Sequence, residues 1–542
     1  MSRPIDPGTF GRPQLRRAAL VGLGAGVAVV VGAELGGRAF VSELPGAWFF
    51  GTPGGPLGSV GAHSAPPALA LLLVFGGLIV MTRNWVAVLR GLRRSPGTPV
   101  RLVVGVLALW IVPLVVAPPL FSRDAYSYAG QGELVSHHIN PYQYGTGVLG
   151  ATPFNVLGGP VWSNSPSPYG PVFLSVDGAV TGLTGHEELA DLVALRALAL
   201  GGLALIALAI PTLARAARKD PAEAVVLGAG SPLVLTALVG GMHNDALMVG
   251  LMVAGLAVAR RYGPVRGIVL CALAAGVKSP ALLAVGVIGW TWPPAGASLL
   301  ARAGRALGAL GIAAAVLGAA SAFTRLGWGW TRTIGTADQV STGVTPLSSV
   351  AHLISGACSL VGISVGFDAV RSGVDVAGLL VAAAACAWLV SRSARLGPVR
   401  TIGLALLVVA LFSPILWAWY LSWGLVTLAA VATGRLRQVL IALAALWTFI
   451  GASAVDGIFD DVVHLGALSV VLLALGLAGC IYLPIGQDRG PAPSVLLIAG
   501  RRVASLGGRR RITSTGQEPD PGRGSSRGTA ALPEASVGLE RS

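Results

Sequence analysis

The chain has 542 residues, 54% of them hydrophobic and only 11% charged, with a mean hydropathy of +0.74. No soluble fold can bury so much apolar surface, so the bilayer is the solvent for most of the chain. The net charge of +15 comes from arginines clustered between apolar segments and in the C-terminal tail, which is a topology signal and argues against nucleic acid as a partner.

The pattern predicts an all-α integral membrane protein of about 14 transmembrane helices, because apolar stretches near spanning length recur along most of the chain. Residues 1–17 are expected in the cytoplasm, 18–486 in the membrane module, and 487–542 in a basic, disordered cytoplasmic tail. Arg16-Arg17 followed by an apolar run resembles a signal sequence, but further spans follow, so it reads as a retained first helix. Helices near 18–35 and 66–82 return the chain to a basic loop with Arg83, Arg90, Arg93, Arg94 and Arg101. A third near 102–120 leads outside. The stretch 121–191 holds Glu133, Asp177, Glu187, Glu188 and Asp191 and a single arginine, and is expected to be a large external loop.

Spans near 192–214, 222–241 and 245–260 alternate correctly with Arg215, Arg218, Lys219, Arg260, Arg261 and Arg266 inside. From 267 to 292, a single crossing would bury Lys278 and place Arg302 and Arg305 outside. Two halves of about 12 residues, each about 18 Å long, turn instead at Lys278-Ser279-Pro280 as a re-entrant or broken hairpin beside a water-accessible cavity. Helices follow near 306–323, 374–390, 401–416, 418–434, 438–454 and 462–484, with an external loop over about 325–375 that has room for a further short helix.

The chemistry concentrates at the external ends of these spans. Phe121-Ser122-Arg123-Asp124-Ala125-Tyr126-Ser127-Tyr128 sets an acid and a base where a lipid phosphate would lie, although Ser122 and Asp124 equally suit a helix cap. Asn140-Pro141-Tyr142 and Trp162 to Pro171, including Tyr169, form an aromatic, hydroxyl-rich surface suited to sugar rings or to an interfacial belt; His137 and His138 read as solvated. His243-Asn244-Asp245 places polar groups between two apolar helices, with Lys278 as the natural partner of Asp245 or, with Arg123, a holder of phosphate. Trp417-Ala418-Trp419-Tyr420 lies at another external junction. Neither the four dispersed cysteines, nor a D-x-D, nor a Gly-rich phosphate loop offers a metal or nucleotide site, so no cofactor is expected and the sugar donor is expected to be lipid-linked.

Ser122 to Tyr128 with Gln131-Gly132, Asn140-Pro141-Tyr142, Pro168-Tyr169-Gly170-Pro171, His243-Asn244-Asp245, Lys278-Ser279-Pro280 and Trp419-Tyr420 together resemble the actinobacterial polyprenyl-phosphomannose-dependent α-1,6-mannosyltransferases of the GT-C superfamily. The resemblance implies a plasma-membrane enzyme with its site outside. It would transfer mannose from polyprenyl-phosphate mannose to a mannan or lipoglycan acceptor with inversion. Asp124 would be the general base, and Arg123, Tyr126, Tyr128, Tyr142, Tyr169, His243, Asn244, Asp245, Lys278, Trp419 and Tyr420 would bind substrate. The Trp417-Ala418-Trp419-Tyr420 segment departs from the family in lacking the proline expected just before the tryptophan. Arabinofuranose or glucose on the same kind of carrier, and a lipid-sugar flippase, are the alternatives.

Overall fold

The computed structural model describes residues 11–36, 67–294, 296–333, 335 and 345–453; the span expected at 462–484 and the tail lie outside them. Helices dominate the described residues. They are α1 (Arg12–Gly36), α2 (Pro67–Arg94), α3 (Val100–Val116), α4 (Asp124–Ser136), α5 (Pro153–Val156), α6 (Pro160–Asn164), α7 (Pro171–Thr184), α8 (Glu188–Ala216), α9 (Pro221–Gly228) and α10 (Asp245–Tyr262). There follow α11 (Pro264–Val277), α12 (Leu282–Thr291), α13 (Leu299–Thr324), α14 (Trp330–Thr333), α15 (Pro346–Leu360), α16 (Phe367–Ser391), α17 (Ser393–Leu396), α18 (Pro398–Leu411), α19 (Leu421–Ala429) and α20 (Gly434–Ser453).

Among the described residues, 6 helices are long and apolar enough to cross a membrane, or up to 7 if the pair Val234–Gly240 and Asp245–Tyr262, bent by 114°, is one span. Four shorter apolar helices, Val100–Val116, Pro264–Val277, Ser279–Thr291 and Pro398–Leu411, add to them, and the chain is a multi-pass membrane protein.

Several boundaries differ from the pattern-based expectation. The basic stretch at Arg83, Arg90, Arg93 and Arg94 belongs to α2 itself, because no helix breaker precedes Ser95-Pro96. The expected span 222–241 is interrupted after Gly228 at Ala229-Gly230-Ser231-Pro232 and resumes as a π-helical stretch, Val234–Gly240. The indole of Trp85 donates to the carbonyl of Val226 at 2.7 Å, just before that break. Past Tyr420, only the nine residues of α19 are helical before the turn at Ala430-Val431, and α20 begins at Gly434.

Two contacts tie the scaffold helices together. Arg196, buried in α8, donates to the carbonyls of Leu114 and Ala117 and so caps α3, whose own Pro113 has disturbed its last turns. Glu223 of α9 accepts from Arg437 of α20. Helix α4 lies against α7, and α7 in turn against α8, α11 and α13, so the stretch between α3 and α8 is packed onto the bundle.

Candidate active site

Asp124 is the first residue of α4 and is 8% exposed. A carboxylate at this end of a helix meets the positive end of the backbone dipoles. Its N–H donates to Ser122 Oγ at 3.1 Å, a local turn contact, while the N-cap position falls to Arg123 with no side-chain cap bond, so neither Ser122 nor Asp124 is the helix cap. Asp124 Oδ2 lies 3.3 Å from Nδ1 of His243, an ion-pair distance at which no aligned hydrogen bond forms. The Tyr128 hydroxyl, one turn along α4, donates to the same oxygen at 3.4 Å.

His243 lies in the sharp bend between Gly240 and Asp245. Met242 there takes φ +56°, and Phe121, ahead of Asp124, takes φ +60°. Bulky residues enter the left-handed region only at a cost of about 1–3 kcal/mol, so the packing around both turns over-determines them. The His243 ring stacks on Trp419 at 3.6 Å, and Trp419 stacks on Trp417 at 5.0 Å.

Asp245, fully buried at the start of α10, receives Lys278 Nζ on both oxygens, at 3.1 and 2.9 Å, and the indole N–H of Trp423. Lys278 falls in the break between α11 and α12, with its Nζ over the rings of Tyr420 at 4.5 Å, Trp423 at 5.6 Å and Tyr169 at 5.9 Å. Backbone contact ties this break to the segment before α7: Gly170 N–H donates to the Val277 carbonyl at 3.2 Å. Tyr128, Tyr169 and Phe173 meet edge to face, and burial drives the Tyr128 and Tyr169 hydroxyls well above their ordinary pKa, so both remain protonated donors.

Helix interruptions and the start of α4 thus converge on one aromatic, charged site. The model described as "Alpha-(1->6)-mannopyranosyltransferase, N-terminal domain" matches residues 19–294, and the one described as "MptB C-terminal domain" matches 347–480. A probable alpha-(1->6)-mannopyranosyltransferase of Mycolicibacterium smegmatis is 33% identical over 405 residues, 67% of this chain and 71% of its own. Two relatives from Mycobacterium tuberculosis, an alpha-(1->6)-mannopyranosyltransferase and an alpha-(1->6)-mannopyranosyltransferase A, are 31% and 32% identical, each over 70% of this chain and 75% of theirs. The chain belongs to the alpha-(1->6)-mannopyranosyltransferase family. No solved structure matches it.

As a member of the alpha-(1->6)-mannopyranosyltransferase family the chain is a glycosyltransferase, and the flippase alternative falls away. Of the residues singled out from the sequence, Asp124, Tyr128, Tyr169, His243, Asp245, Lys278, Trp419 and Tyr420 meet in one place. Asn244 borders it, buried, with both side-chain amide atoms unpartnered among the described residues. Arg123 stands at the N-cap of α4 with its guanidinium toward Gly159.

Two tyrosines differ. Tyr126 is fully buried within electrostatic reach of Glu188, Glu34 and Arg196, because positions two apart on a helix point away from each other. Tyr142 packs its ring on Gly329 and donates to the Tyr169 carbonyl at 3.0 Å, which makes it a brace of the loop. Pattern reading missed Trp423, although a tryptophan four residues after Trp419 repeats one helical turn and offers the same face. It also missed the chain from Ser167 Oγ to Gln131 Oε1 (2.7 Å) and from Gln131 Nε2 to Ser127 Oγ (3.0 Å), which locks the loop to α4.

Proposed function

We propose that this enzyme transfers mannose from polyprenyl-phosphate mannose to the 6-hydroxyl of an α-1,6-linked mannan or lipoglycan acceptor, on the outer face of the plasma membrane and with inversion. The observation that carries the reading is the pairing of Asp124 with His243 beside a cluster of buried polar groups that lack protein partners. His243 Nδ1, both side-chain amide atoms of Asn244, the Trp419 indole N–H and Ser422 Oγ have no hydrogen-bond partner among the described residues. Buried polar groups are almost always satisfied, so such a concentration fits a site completed by a hydroxyl-rich ligand.

In this reading Asp124 takes the proton of the acceptor hydroxyl as its oxygen bonds to the anomeric carbon. The bond from that carbon to the phosphate oxygen breaks, and polyprenyl phosphate leaves with the electron pair. No general acid is needed, because the phosphate departs as a stable anion. An α product formed with inversion requires a β-linked donor. His243 holds the carboxylate, while Arg123 and the remaining N–H of Lys278 face the leaving charge; fixed charges of this kind supply much of the rate where water is excluded. Trp417 and Trp419, stacked on each other, and Tyr420, edge-on to Trp419, offer apolar surface for the sugar or the first isoprene units.

The test is transfer of labelled mannose from polyprenyl-phosphate mannose to an α-1,6-dimannoside by purified wild-type and Asp124→Asn proteins. Elongation by the wild type alone supports donor, reaction and base together. Elongation by both removes Asp124 as base. If neither elongates, the donor assignment fails, and carriers of arabinofuranose or glucose are tried next.

A further inference from the structure

At the far end of the helix that begins with Asp124, Glu133 and His137 stand one turn apart on α4, and His186 reaches them from the corner between α7 and α8. Glu133 Oε1 lies 2.9 Å from His137 Nε2, and Oε2 lies 2.7 Å from His186 Nδ1. The two imidazoles are 5.2 Å apart, centre to centre. All three donor atoms fall within 4.8 Å of one another.

We propose that Glu133, His137 and His186 bind one divalent cation of the zinc class. Two imidazole nitrogens and one carboxylate oxygen form a borderline donor set that suits zinc, nickel or copper and leaves magnesium and calcium, which want more oxygens, poorly served. Tetrahedral zinc with bonds of 2.0–2.1 Å sets its ligands about 3.4 Å apart, so each imidazole needs to retreat from the oxygen it now touches by less than about 1 Å, while the widest separation, within 4.8 Å, closes by about 1.4 Å at most. The histidine side chains are 55% and 43% exposed, so a cation can enter and a solvent oxygen can complete its shell, whereas Glu133 at 12% is held by the packing of α4. Asp191 adds negative potential. It lies within electrostatic reach of Glu133 and His186, and its oxygens are fixed by the Thr181 and Thr184 hydroxyls.

The cation would clip the last turn of α4 to the start of α8. Nine residues of helix, about 14 Å, separate Glu133 from Asp124, so its role is to fix the helix that carries Asp124, away from the transferred sugar. The spacing gave no hint, since His186 joins the pair only through the fold.

The experiment uses full-length protein in detergent, purified through a tag without histidine, stripped with chelator and dialysed against zinc chloride. Bound zinc and the thermal unfolding midpoint are read. Wild type should hold one zinc per chain and unfold at a higher temperature with zinc than without. His137→Gln and His186→Asn should each weaken retention at least about tenfold and lose the zinc-induced shift. These amides can still hydrogen-bond Glu133 but ligate poorly, and Asn tolerates the φ of +65° at position 186, so the folded scaffold is kept. His138→Asn, the adjacent control, should match wild type. No zinc held by wild type, or equal retention by wild type and the two ligand variants, overturns the site and leaves a hydrogen-bonded latch only.

Discussion

Gly170 and Gly276 meet backbone to backbone: a Cβ at Gly170 would lie 2.3 Å from the carbonyl oxygen of Gly276. The segment between α6 and α7 is thereby pressed against the helix end that presents Lys278, and neither side can yield without moving main chain. Gly170→Ala is therefore expected to destabilise the protein by about 1–3 kcal/mol and to lower transfer activity together with it. Gly182→Ala in the same helix-rich region, where nothing lies within 4 Å of the new methyl, should be neutral or stabilising by about 0.5–1 kcal/mol. Thermal unfolding of both variants in one detergent checks the contrast.

Lys278 neutralises a carboxylate that has no exposure to solvent. Lys278→Met should cost about 3–5 kcal/mol, because Asp245 is left charged and uncompensated. Adding Asp245→Asn should recover a good part of that stability while transfer stays lost. Recovery of activity in the double variant would show that the pair only holds α10 to α11 and contacts no substrate.

Tyr128 reaches Asp124 at 3.4 Å, a long hydrogen bond. Its removal in Tyr128→Phe should lower the transfer rate by about tenfold or less, as the loss of one weak contact worth about 0.5–1.5 kcal/mol allows. Asp124→Asn should abolish transfer. Equal losses in the two variants would contradict the assignment of the proton acceptor.

Asp177, in α7, is fully buried and neither carboxyl oxygen has a partner among the described residues. Burial, reinforced by Asp191, holds its pKa well above the ordinary carboxylate value. Above that ordinary value the folded state keeps a proton that the unfolded chain has released, so stability falls as pH rises from about 4 toward the folded pKa. Asp177→Asn should remove this slope and be at least as stable as wild type at neutral pH. Parallel unfolding curves for the two proteins across that range would rule the prediction out.

The bundle was legible because lipid imposes it: long apolar runs can only be helices, and arginines mark their ends. The breaks were harder. Lys278-Ser279-Pro280 announces itself through a charge and a proline inside an apolar run, whereas the interruption at Gly228 to Pro232 hides in residues that also occur in membrane helices. At the site, charged and aromatic motifs pointed to Asp124, His243, Asp245 and Lys278, since each is expensive to bury without purpose. Trp423 and the Gln131–Ser167 link stayed hidden, because which face of a short helix turns inward depends on neighbours far away in the chain. Tyr126 was misleading for the same reason: a motif fixes which residues stand together in sequence, and the helix then sends alternate ones in opposite directions.

The bond from Trp423 to Asp245 joins the segment matched by the N-terminal family model, 19–294, to that matched by the C-terminal one, 347–480. Trp419 makes the same crossing through its stack on His243. The two modules thus meet at the candidate site. A chimera that takes either half from a relative inherits one wall of the site and must match the other, so they can be exchanged only as a pair.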